Sequence, residues 1–138
     1  MDGMVGPALF QVTNMIVGAI VLSHRVQYQF GLTYDTSVGP VSCLYLGTDL
    51  AESLVNVTNQ TCGPDTDIFF SWRQFPDNSA LLEISHQLSD SLMQFASRPI
   101  ANNETTVEAS GAFSHQVYIG PSNFTIPSSL IRISGPPV

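Results

Sequence analysis

Lysine is absent from this 138-residue chain, and its four basic residues are Arg25, Arg73, Arg98 and Arg132. Against eleven acidic residues this leaves a net charge of −7. With no basic stripe to displace phosphate counterions, nucleic acid is excluded as a partner class. The same lack removes charge-driven attraction to anionic lipid. Charged residues make up 11% of the chain, less than half of the roughly 25% usual in a soluble domain. The polar surface must therefore come from Ser, Thr, Asn and Gln. A hydrophobic fraction of 43% excludes wholesale disorder, and the length suits one domain with one core.

Chemistry is also missing. The chain has no Gly-x-Ser-x-Gly, His-Glu-x-x-His, Walker loop or dinucleotide fingerprint. His24, His86 and His115 are scattered. His86 and Asp90 are four apart, a spacing that on a helix marks a solvated face more often than a base and its orienting partner. Ser114 and His115 are adjacent, but a nucleophile and its base meet in space and not along the chain. Asp65 and Asp67 lack the glycine and distal glutamate of a calcium loop. No enzyme, metal site or cofactor is expected.

What is present points to an environment. Four acceptor triplets for N-linked sugar begin at Asn56, Asn59, Asn103 and Asn123. Chance placement of the chain's seven asparagines among its 26 serines and threonines gives roughly one. The two cysteines, Cys43 and Cys62, allow a single bridge closing a loop of about twenty residues, which stabilises by roughly 3 kcal/mol in an oxidising compartment. Acceptors and bridge together predict an extracellular or cell-surface glycoprotein with no bound group besides its N-linked glycans.

From Met4 to Ser23 the chain carries no charge. As a signal peptide it has an apolar run at Met15–Leu22, but Asp2 stands where a positive region belongs. As a membrane span, residues 4–23 are just long enough, yet Gln11, Thr13 and Asn14 lie near the middle. A packed helix gives Gln11, Asn14, Gly18 and Arg25 as a polar or small stripe, and an ordinary core element of the same domain is the plain alternative. Residues 1–25 are expected to be retained and packed as an assembly or anchoring segment. Phe10, Gln11, Asn14, Val17, Gly18 and Val21 are its candidate contacts.

Residues 26–138 read as one β-rich domain. Val26, Tyr28, Phe30, Leu32 and Tyr34 alternate with polar residues or glycine, a half-buried strand whose polar face has no charge before Asp35. Such a face suits pairing with another chain. Pro40–Gly47 and Asp67–Phe75 predict two more strands, the second with Trp72 and Arg73 on opposite faces. A short helix is expected from Thr48 or Asp49 through Val55. Between Asn78 and Pro99, Leu81, Ile84, Leu88, Leu92 and Phe95 fit one helical face, although the alternation from Leu82 also fits a hairpin after Pro76–Ser79. The spacing favours the helix. Beyond Pro99 short strands separated by Gly and Pro follow. The fold class expected is α+β, a β-rich antiparallel head with one longer helix and a hydrophobic N-terminal segment; the alternative is an all-β sandwich.

A hydrophobic N-terminal segment before a β-rich head with sugar acceptors is similar in layout to pilin-like filament subunits, and equally to membrane-anchored ectodomains. The first layout implies a self-assembling structural subunit whose partners are copies of itself. The second implies a protein- or carbohydrate-binding module, with Trp72, Phe75 and Tyr118 as aromatic candidates.

Overall fold

Five of the twelve residues from Leu9 to Ile20 are β-branched, a composition that favours extended backbone. In the computed structural model this stretch is a strand, β1 (Leu9–Ile20). The structure describes residues 9–20, 25–34, 40–48, 54–63, 67–110 and 113–132. Ten further strands follow: β2 (Arg25–Thr33), β3 (Val41–Thr48), β4 (Val57–Thr61), β5 (Ile68–Gln74), β6 (Ala80–Gln87), β7 (Leu92–Ile100), β8 (Thr105–Ser110), β9 (Phe113–Tyr118), β10 (Phe124–Pro127) and β11 (Ser129–Arg132). They form two antiparallel sheets. Sheet A runs β3-β2-β1-β9-β8, with β10 also on β1; sheet B runs β11-β7-β6-β5-β4.

The inner faces meet in one core that includes Val26, Tyr28, Phe30 and Leu32 of β2 and Ile68, Phe70 and Trp72 of β5. Aromatic pairs cross between the layers, with ring centroids 5.6 Å apart for Tyr28 and Trp72 and 5.1 Å for Phe30 and Phe70. The buried Tyr28 hydroxyl donates to the Val55 carbonyl at 2.7 Å and accepts from the Val55 N–H at 2.8 Å. The Leu54 N–H, also buried, donates to Gln116 Oε1 at 2.9 Å. These bonds satisfy the backbone of the chain segment entering β4.

Cys43 and Cys62 form a disulfide, and both are fully buried. Cys43 lies in β3, the edge of sheet A, and Cys62 follows β4, the edge of sheet B, so the bond ties the two layers along one side. At the opposite end Arg98 of β7 pairs with Glu104 at 2.9 Å and lies 4.5 Å above the Phe124 ring of β10. This contact joins sheet B to sheet A.

The longer helix expected between Asn78 and Pro99 is not there. Residues 80–100 form the β6–β7 hairpin, with Leu82, Ile84 and Ala96 buried and Leu81, Glu83 and Ser85 on the other face. Alternation outweighs the helical spacing because Trp72 and Ile84 must line the same core. Four of the five serines between Asn78 and Pro99 that fall on the hairpin strands or their turn also favour extended or turn backbone over helix. Asp77 closes the β5–β6 turn: its carboxylate accepts from the Ser79 hydroxyl and N–H. Those bonds hold its pKa below the usual carboxylate value. Among the described residues the only helix is the 3-10 turn Asn102–Glu104, and none is long and apolar enough to cross a membrane. Most of the short helix expected after Thr48 lies outside the described residues.

The N-terminal segment enters as the centre of sheet A. Phe10 and Val12 point inward, then Met15, Val17 and Ala19 do, so the inward parity changes from even to odd. A β-bulge makes the change: Thr13 pairs Gly31 but Ile16 pairs Gln29, which leaves one extra residue in β1. Asn14 sits in the bulge with φ of 54°, a left-handed conformation that Asn tolerates better than most residues. The apparent helical stripe through Gln11, Asn14 and Gly18 is two registers of a strand joined by this bulge.

Two outcomes follow. Asn14→Gly should leave the urea midpoint nearly unchanged, whereas Asn14→Val should cost about 1–3 kcal/mol through strain at the bulge. Reducing the Cys43–Cys62 bond should lower stability by about 3 kcal/mol, read from denaturant curves with and without reductant.

Candidate functional site

A strand covered on both sides reads as a continuous apolar run, whereas one with a wet face alternates. β1 is apolar on both faces in its second half, and so is β3. The inward residues of β3 are Cys43, Tyr45 and Gly47; facing out are Ser42, Leu44, Leu46 and Thr48. Register brings these outward residues into rows across sheet A. One row runs Leu46, Gln27, Gly18, Val117 and Thr106. Beside it Leu44, Gln29 and Ile16 align. Ile16 is 55% exposed, and Leu44 and Leu46 are each 48% exposed.

The face has little charge. Of its described side chains only Arg25 and Glu108 are ionic, and both lie one row beyond Gly18 towards one end of the sheet. Gln27 Nε2 donates to Gln29 Oε1 at 2.6 Å, so part of their polar capacity is used within the face. Gly18 makes it flat: a Cβ there would stand 3.0 Å from Val117 Cγ1. A shallow groove of about 350 Å³ runs over this region, walled by Ile16, Gly18, Gln27, Val117 and Ile119, with Glu108 also in its wall.

All four sugar acceptors are exposed. Asn56, just before β4, accepts the Gln74 N–H on its Oδ1 at 2.7 Å. Asn59 sits in a second bulge, where Val57 pairs Trp72 but Gln60 pairs Phe70, with φ of 48°. Asn103 is on the 3-10 turn. Asn123 precedes β10, and its Oδ1 accepts the Asn14 N–H at 3.1 Å, which locks the β1 bulge. A sugar bond is made at Nδ2, so the oxygen contacts of Asn56 and Asn123 are compatible with it.

The other candidates are dispersed. Phe10 and Val17 are buried in the core; Gln11 and Asn14 are exposed on β1; Gly18 lies against Val117; Val21 is outside the described residues. Trp72 is buried and Tyr118 half-buried with its hydroxyl donating to the Pro121 carbonyl, which leaves Phe75 as the one exposed ring of the three. His86 is on β6 with its ring against Tyr34 at 4.7 Å, and Asp90 is in the next turn, so no helical pair forms. Asp65 and His24 lie outside the described residues. Among the described residues no cluster of three His, Cys, Asp or Glu occurs. Leu44, Leu46, Val117 and Ile119 were not expected at this face; the signal was the double-sided apolarity of Cys43–Leu46.

No protein-family model matches the chain, and no curated protein does.

Glu104 offers a test of the contact that joins the sheets. Burial acts to raise its pKa, but the hydrogen bonds from Arg98 and from the Ala101 N–H, with the charge of Arg98, outweigh it and hold the carboxyl below its usual value. A carboxyl lowered in the fold adds stability at neutral pH, and that contribution is lost as pH falls from about 4.3 through the lower folded value. Glu104→Gln should therefore cost about 1 kcal/mol near neutrality, and its urea midpoint should converge with wild type once the pH is below the folded value.

Proposed function

We propose that this protein is a structural subunit of an extracellular, N-glycosylated assembly such as a filament, with no catalytic role, whose copies meet through the outer face of sheet A. The observation that carries this reading is the apolarity of β1 and β3 on both sides, with the outer side open. In this reading the hydrophobic N-terminal segment contributes to assembly through Ile16, with Gly18 buried under Val117 keeping the face flat beside it, while Phe10 and Val17 anchor its strand in the core.

Charge supports a self-partner. Copies at −7 repel at a distance, but Glu108 is the one described carboxylate on the face and lies towards its end, so copies can touch over the Leu44, Leu46 and Ile16 rows without burying like charges. Covering half-exposed leucine or isoleucine gains about 1 kcal/mol per side chain. A two-fold face-to-face contact closes as a dimer, so extension needs a second contact. The exposed Val107 on edge strand β8 and Leu130 on edge strand β11 are the candidates. The buried disulfide is compatible with an oxidising compartment. The second reading, an anchored or secreted module that binds another protein or a carbohydrate, would use the same face for a different partner.

The test is negative-stain microscopy with sedimentation of protein secreted from a eukaryotic host without detergent. Wild type should give regular assemblies, and Leu46→Glu should give monomers with an unchanged melting temperature. Monomers at every concentration, or assemblies indifferent to Leu46→Glu, would contradict the proposal. A wild type that needs detergent yet stays monomeric would favour the binding module.

A further inference from the structure

The outer face of sheet B differs from that of sheet A in having rings, an ion pair and a sugar acceptor together. Phe69, Ser85 and Phe95 lie side by side across β5, β6 and β7, so two half-buried rings flank a serine. Glu83 lies one row away and pairs at 3.2 Å with Arg73, one row further along β5. These residues wall a groove of about 310 Å³, and Asn59 is at its rim. The β4 bulge explains why an edge-strand Asn reaches it. The extra residue, with its left-handed backbone, turns Asn59 over the sheet, where its N–H donates to Ser71 Oγ at 2.9 Å and its Oδ1 lies 3.5 Å from the same oxygen.

We propose that Asn59 carries an N-linked glycan whose first N-acetylglucosamine lies in this groove against Phe69 and Phe95. The proposal rests on the reading of the chain as a glycoprotein and names one acceptor and its seat. In the transfer, Asn59 Nδ2 bonds to the anomeric carbon of a polyprenyl-diphosphate oligosaccharide. The carbon–oxygen bond to diphosphate breaks, and the displaced Nδ2 proton passes to a base of the host transferase. Oδ1 and the remaining Nδ2 hydrogen are untouched, so the contact with Ser71 survives. The sugar's C–H face matches the rings, and its hydroxyl and acetamide groups match Arg73, Glu83 and Ser85.

Thr61→Ala removes this acceptor without touching Asn59, and Thr61 is exposed. Protein secreted from a eukaryotic host is mapped by glycopeptide mass and melted as wild type, Thr61→Ala, Phe95→Ser and the double variant. Sugar should be found on Asn59. Thr61→Ala should lower the melting temperature by several degrees, and trimming wild type to a single N-acetylglucosamine should not. In the Phe95→Ser background Thr61→Ala should have little further effect. Sugar on other acceptors but not Asn59 would overturn this proposal and leave the glycoprotein reading standing; a bare chain would overturn both. Sugar on Asn59 with additive losses would overturn its seat in the groove. Enzymatic removal of the sugar from folded wild type reads the same loss should either variant fail to fold.

Discussion

The architecture depends on β1 being packed on its inner side while it forms the middle of an outer face. Its first half pairs with β10 and its second half with β9, so one strand organises both parts of sheet A. The bulge at Asn14 permits this by shifting which residues face inward, and the Asn123 side chain and the Ser122 carbonyl hold the loop between β9 and β10 onto it. With β1 fixed, the aromatic residues of β2 meet those of β5 across the core. The same placement leaves Ile16 and Gly18 facing outward beside Leu44 and Leu46.

The scarcity of charge acquires a structural meaning in this arrangement. Two of the arginines are committed to carboxylate partners, Arg73 to Glu83 and Arg98 to Glu104, and Arg98 also covers Phe124. Few ionic groups remain to keep either sheet's outer face wet. The two faces solve the problem differently in the account proposed here. As proposed, sugar from an edge strand would cover the aromatic groove of sheet B, and a second copy would cover sheet A. Asn123 borders the latter next to Asn14, so a glycan there would confine the contact to β3, β2, the second half of β1 and β9.

Much of this was legible in the sequence. The alternation from Val26 to Leu32 fixes a strand and its buried side, and the opposite faces of Trp72 and Arg73 follow from the same period. The one available cysteine pairing is the bond that forms. Two things were hidden for physical reasons. In β1 an extra residue at the bulge converts a period of two into spacings of three and four, which imitate a helix. From Asn78 to Pro99 leucines at both parities fit either element. There the decision is made by neighbouring strands, since β6 must pair with β5 and line the same core, and no local pattern contains that constraint. The outer face was only half visible: the uncharged side of β2 showed in its glutamines, but its union with Leu44, Leu46 and Val117 needed the strand order.

The most direct measurement is covalent footprinting of aliphatic side chains in the glycosylated protein, comparing dilute with concentrated samples. The account predicts that Ile16, Leu44 and Leu46 become protected on concentration while Leu88, exposed in the β6–β7 turn, labels equally in both. Equal labelling of all four at every concentration would contradict it.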